Sequence, residues 1–143
     1  MRDFSVFLLD DSVKRQQPDR NLSEELAHDC VERLGYAKAS EITEKTAKYA
    51  YENVYESLRE AADSILFSQG FKSFSHEATI SFLQKFKDLT VKEIADFDRM
   101  RVKRNGMKYY GKSCSVKDVE EAISFAEPLM RKILDIRTRL LSK

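Results

Sequence analysis

Residues 39–70 read ASEITEKTAKYAYENVYESLREAADSILFSQG. Ile42, Tyr49, Ala50, Val54, Leu58, Ala61, Ile65 and Leu66 fall on one face at the helical period, and no run of comparable length alternates as a strand would. Ser40 stands where a helix N-cap belongs, with Thr43 and Glu44 behind it, and Gly70 supplies a stop. The stretch predicts a helix over 39–69, roughly 45 Å long, which suits the central member of a bundle.

The flanking segments repeat the pattern in shorter lengths. Downstream, Ser75 followed by Glu77 and Ala78 predicts a helix start, with Ile80, Phe82, Leu83 and Phe86 as its core face. A capping box of Thr90 and Glu93 opens a fifth helix, which should run to Tyr110 and stop at Gly111. A last helix starts at Ser115 and carries Val119, Ile123, Ala126, Met130, Ile133 and Leu134, with Pro128 expected to kink or split it. Upstream, residues 3–16 read as a short helix with Phe4, Phe7, Leu8 and Leu9 clustered, and the segment around Pro18 reads as a break. A second helix is expected from Asn21 to Leu34, ending at Gly35. Amphipathic helices with short connections must cover one another's apolar faces. The fold class is therefore all-α: an antiparallel up-and-down bundle of five to six helices in one domain over 1–143, with N-terminal helices in 1–35 and the bundle core in 39–142.

Composition agrees. Hydrophobic residues make up 42% and charged residues 34%, which suits a packed core and not disorder, while four Gly and two Pro leave little turn chemistry for a sheet protein. The formal net charge is +1, so no global field draws in a polyanion, and any RNA contact needs a local basic patch. Cys30 and Cys114 have no metal-like spacing and are expected as reduced thiols. No His, Cys or carboxylate cluster has ligand spacing and no glycine-rich phosphate loop is present, so neither a metal nor an organic cofactor is expected. The apolar run Val6–Leu9 ends at Asp10 and Asp11, too short for a signal peptide or a membrane span, so a cytoplasmic location without membrane contact is expected.

One core stripe turns polar. The inward face of the fifth helix begins with Ile94 and Phe97, then steps to Arg101, to Arg104 and Asn105, and to Lys108. Gly106 in the same stretch costs about 1 kcal/mol relative to Ala inside a helix. Two readings stay open. The cations line a functional site, or they form a solvated face paired with Asp96 and Asp98. On the long third helix, Tyr51, Tyr55 and Arg59 step by four, flanked by Glu60 and Asp63, either lining a wet pocket or simply packing. His76, in the turn after Ser75, either wedges helices apart or reaches that site, whereas His28 reads as plain surface.

These residues resemble a known family. Arg104-Asn105-Gly106-Met107-Lys108-Tyr109-Tyr110-Gly111 is similar to the motif of HEPN (higher eukaryotes and prokaryotes nucleotide-binding) domains, an arginine often followed by asparagine with a histidine further along a late helix. Tyr109 and Tyr110 stand where the histidine would be. The lead-in Phe97-Asp98-Arg99-Met100-Arg101, the segment Val54-Tyr55-Glu56-Ser57-Leu58-Arg59-Glu60 and the loop Gly70-Phe71-Lys72-Ser73-Phe74-Ser75-His76 also look similar to small prokaryotic HEPN proteins, and the likeness spans about residues 40–135.

The resemblance implies a helical-bundle homodimer with Arg104 of each subunit at a shared cleft, a nucleotide or RNA as ligand, and a nucleotidyltransferase-family protein as partner in a toxin–antitoxin-like pair. It implies Arg104, Asn105 and Tyr109 as candidate catalytic residues, with Tyr55, Arg59, His76, Arg101 and Tyr110 as candidate ligand contacts. Active members are metal-independent ribonucleases, in which arginine stabilises charge on the phosphate and histidine moves protons. Tyrosine is a poor base at neutral pH, so the expectation here is binding, with ribonuclease activity as the alternative and a non-catalytic interaction bundle as a third reading.

Overall fold

The computed structural model describes all 143 residues, Met1–Lys143. The chain is a helical bundle of six α-helices with a small two-stranded ribbon. α1 is Phe4–Leu9, β1 Val13–Arg15, α2 Arg20–Ala39, α3 Ala47–Ser68, β2 Phe71–Ser73, α4 His76–Phe82 (continued by a tight turn at Leu83–Lys85), α5 Val91–Tyr110 and α6 Val116–Leu141. No helix is long and apolar enough to cross a membrane.

α3 is the central member. Over its 22 residues it runs for about 33 Å and packs most extensively against α2 and α6. Tyr55, Leu58, Ile65 and Leu66 are fully buried along it, facing Phe97 of α5 and Leu129, Ile133 and Ile136 of α6. Two of its expected features differ. The helix starts at Ala47, because Ser40 closes α2 instead: its backbone N–H donates to Tyr36 O and its hydroxyl to Ala37 O at 2.8 Å. Tyr49 points outward, 62% exposed, while Tyr51 is buried in its place.

α2 runs through Gly35 to Ala39 and does not stop there. Ala37 is fully buried in the main core and Lys38 pairs with Glu127 of α6 at 3.0 Å, so the extra turn gains more than glycine's disorder costs. Cys30 and Cys114 are free buried thiols. Thr90–Glu93 forms the capping box its spacing predicts, Ser75 caps α4 and α6 starts after Ser115 as expected, where Ser115 and Asp118 form a second reciprocal box. α5 ends at Gly111 in the left-handed conformation, φ 66°. Pro128 does not split α6, which continues to Leu141.

The N-terminus departs furthest from expectation. Residues 3–16 are not one helix: α1 ends at Leu9, which is exposed, and Asp10 Oδ1 accepts from Ser12 N–H in an Asx turn that takes Asp11 to φ 64°. The chain then pairs antiparallel with β2 in the register Val13↔Ser73, Lys14↔Lys72 and Arg15↔Phe71. Gly70, just before β2, has φ 83°, and an added Cβ there would stand 2.7 Å from Gln16 O. The ribbon's inner face closes a second small core of Phe7, Val13 and Ala78, with Phe4 edge-on to Phe71 and Phe82.

Candidate functional site

α3, α4 and α5 enclose a polar cluster in the wall of the main core. Arg104 faces inward from α5 and is 7% exposed. Its Nη2 donates to Glu52 Oε1 on α3 at 3.2 Å, with Glu56 at 4.0 Å, and its Nη1 donates to Asn105 Oδ1 at 3.1 Å. The guanidinium carbon stands over the Tyr55 ring, 5.7 Å from its centre. The Nε–H is sealed from solvent and donates to nothing, an unmet donor that costs about 1–3 kcal/mol. Gly106, one turn-edge away, is buried because the Lys112 stem lies over it, 3.1 Å from where a Cβ would be.

Arg59 forms the other half. It grips Glu56 through Nε and Nη2, the latter at 2.9 Å, and reaches Asp63 with Nη1. Thr79 of α4 donates to the other Asp63 oxygen at 3.0 Å. Burial pushes the Asp63 carboxyl up to about 6, against the pull of Arg59 and Thr79. Burial also works against the charge on Glu56, but the hydrogen bonds and charge of Arg59 outweigh it and hold that carboxyl below its ordinary range. Glu60, one residue beyond, turns away to α2 and pairs with Arg33 at 2.8 Å.

Tyr55 joins the two halves. Its hydroxyl meets His76 Nδ1 at 3.0 Å, and its ring packs edge-on to Phe97. Burial, then the charge of Arg59, lower the His76 pKa below its ordinary value. Arg101 pairs with Asp98 at 2.7 Å, and Arg99 with Asp96, so the charged-face reading holds for those two cations and not for Arg104. Tyr109 and Tyr110, at the end of α5, are 62% and 78% exposed and make no hydrogen bond to the cluster. His28 lies on the surface beside Glu32, 3.6 Å away.

A cleft of about 200 Å³ opens beside Arg104, lined by Lys48, Tyr49, Glu52, Arg104, Met107 and Lys108. It sets three cations against one carboxylate, and Lys108 shares Glu52 with Arg104 at 3.4 Å. Sequence reasoning missed Glu52, Glu56, Lys48 and Thr79. The first two step by four beside the Tyr55–Arg59 row, a spacing that puts both carboxylates on the arginine-facing side of α3. No three His, Cys, Asp or Glu side chains converge as a metal site would require. Comparisons with protein-family models, with curated proteins and with solved structures each return no match to this chain.

Proposed function

We infer that the chain is a HEPN-type nucleotide- or RNA-binding protein that takes a phosphate group at the cleft beside Arg104. The observation that carries this is the grouping of Lys48, Arg104 and Lys108 around one concavity with a single carboxylate among them. A guanidinium fork and two ammonium groups match phosphate oxygens, and the exposed Tyr49 ring offers a base a surface to stack on. Arg104 breaks the core pattern and keeps an unmet donor, the kind of local cost that functional positions carry. The HEPN resemblance adds a homodimer and a nucleotidyltransferase-family partner to this reading.

The test is calorimetric titration with nucleoside monophosphates, nucleoside triphosphates and short single-stranded RNA, using the chain and Arg104→Met. Binding that weakens tenfold or more in the variant supports the reading. No heat from any of these ligands defeats it. Co-purification of a nucleotidyltransferase-family protein with the tagged chain, from its own cells, tests the partner.

A metal-independent ribonuclease is the second reading, favoured by one observation: the His76 imidazole lies against the Tyr55 hydroxyl, with Nδ1 at 3.0 Å. Only the tautomer in which Nδ1–H donates to the tyrosine oxygen leaves Nε2 free as a base. That base would take the ribose 2′-hydroxyl proton as the oxygen attacks phosphorus and expels the 5′-oxygen, which takes a proton from solvent water. RNA cleavage that His76→Gln abolishes supports this reading, and intact RNA after prolonged incubation removes it.

A further inference from the structure

We propose that the outward face of the β1–β2 ribbon binds single-stranded nucleic acid, with Lys14 and Lys72 on backbone phosphates and Phe74 beneath a base. The ligand class extends the function inferred above and rests on it, but the residues are separate from the Arg104 cleft.

The strand alternation divides the ribbon cleanly. Val13 is buried and Phe71 packs on Phe4 and Phe82, so one face belongs to the small core. The opposite face carries Lys14, Lys72 and Phe74. Lys14 and Lys72 are direct cross-strand partners, and like charges placed opposite each other destabilise a ribbon. No carboxylate relieves them: neither lysine forms an ion pair, nor does Arg15, while cations elsewhere in the chain mostly do. The acids nearest in sequence, Asp10 and Asp11, sit in the preceding turn, and the Asp10 side chain is engaged by Ser12 N–H.

Both ammonium groups stand over one exposed aromatic ring. Phe74 is 61% exposed, with Lys72 Nζ 5.4 Å and Lys14 Nζ 5.9 Å from its ring centre. Lysines on a short ribbon also discourage pairing with other strands, but an exposed phenylalanine works against that purpose. Two lysines that no carboxylate holds, resting on an exposed ring, can move onto phosphates and release that ring to an unstacked base. The backbone holds the ribbon in place from both ends: Gln16 N–H donates to Gly70 O at 2.9 Å and Phe74 N–H to Ser12 O at 2.8 Å. The strand then passes directly into His76 at the start of α4, so the ribbon adjoins the buried cluster.

The experiment is fluorescence anisotropy of a labelled oligouridylate and a labelled oligodeoxythymidylate with the full chain over a range of salt. Phe74→Ala should weaken binding about tenfold. Lys14→Gln/Lys72→Gln together should lower the slope of log K against log salt by about 1.4, two phosphates for a single strand. All three side chains are exposed, so circular dichroism should show unchanged folding. Both effects should persist in an Arg104→Met background, and their persistence when Arg104→Met itself changes nothing would leave the ribbon standing and the cleft refuted. The proposal is overturned if the wild type binds neither oligomer at low salt. It is also overturned if the ribbon variants bind as the wild type does, or if they lose only the capture of phosphatidylserine vesicles. An RNA response with no DNA response would restrict the ligand to RNA.

Discussion

Replacing Arg104 and replacing Arg59 should have unequal consequences for stability, although both arginines approach Glu56. Consider Arg104→Met. The side chain loses a charge-assisted hydrogen bond to Glu52, which contributes about 1.5–3 kcal/mol, and one to Asn105, which contributes about 0.5–1.5 kcal/mol. The variant also removes the sealed Nε–H, whose unmet donor costs about 1–3 kcal/mol. Neither carboxylate is stranded: Glu52 keeps Lys108 at 3.4 Å and Glu56 keeps Arg59 at 2.9 Å. Methionine refills much of the stem's volume. The relieved donor offsets most of these losses, so the net change should be a loss of no more than about 2 kcal/mol. Arg59→Met, by contrast, leaves Asp63 buried with only Thr79 as a partner, and breaking a buried pair in this way costs about 3–5 kcal/mol. Urea denaturation reads both, through the midpoint at constant m-value. If Arg104→Met loses as much stability as Arg59→Met, Arg104 is a brace between α5 and α3 and the reasoning for a binding role fails.

Further expectations follow from neighbouring contacts. Because the folded-state pKa of Asp63 is raised to about 6, the folded chain binds a proton that the unfolded chain releases between about pH 4 and 6. Its contribution therefore grows as pH falls through that window, so the wild type should gain roughly 1–3 kcal/mol over Asp63→Asn between pH 7 and pH 4.5; a flat or opposite difference would mean Arg59 keeps the carboxylate charged. Glu52→Gln should tighten phosphate binding at the cleft several-fold, since a neutral amide withdraws the competing charge, and an unchanged or weaker Kd by calorimetry counts against the cleft. Arg137 is 9% exposed and ties α6 to α2 through Ser23 at 2.8 Å and Glu24 at 2.7 Å, so Arg137→Met should cost about 1–3 kcal/mol, read as a lower Tm.

The helices were readable wherever the chain carries its own stop and start signals. Thr90–Glu93, Ser115–Asp118, Ser75 and Gly111 work through bonds within one turn, so local sequence is enough to place them. Gly35 and Ser40 misled because the deciding contacts are distant: burial of Ala37 and the Lys38–Glu127 pair carry α2 past the glycine. The ribbon was illegible for the same reason. Three-residue strands show no usable period, and β1 exists only because β2, far along the chain, pairs with it. At the site, the inward turn of Arg104 could be read from the stripe Ile94–Phe97, but its partners could not. Glu52 and Glu56 look like ordinary surface acids until α5 is laid against α3.

That packing gives the two arginines unequal duties. Arg59 is enclosed by two carboxylates and holds both, so the fold depends on it. Arg104 shares Glu52 with Lys108, and Glu52 is itself 36% exposed, the one acid in the cluster free to swing toward solvent. On the proposed reading, a phosphate at the cleft would offer Arg104 and Lys108 a more highly charged acceptor in exchange, while Glu56 stays with Arg59 and the α3 frame stays intact. The charges therefore divide into a buried set that fixes the geometry, Arg59 with Glu56 and Asp63, and a more exposed set at the cleft, Arg104 and Lys108 with Glu52. An anion competing for the second set need not disturb the first.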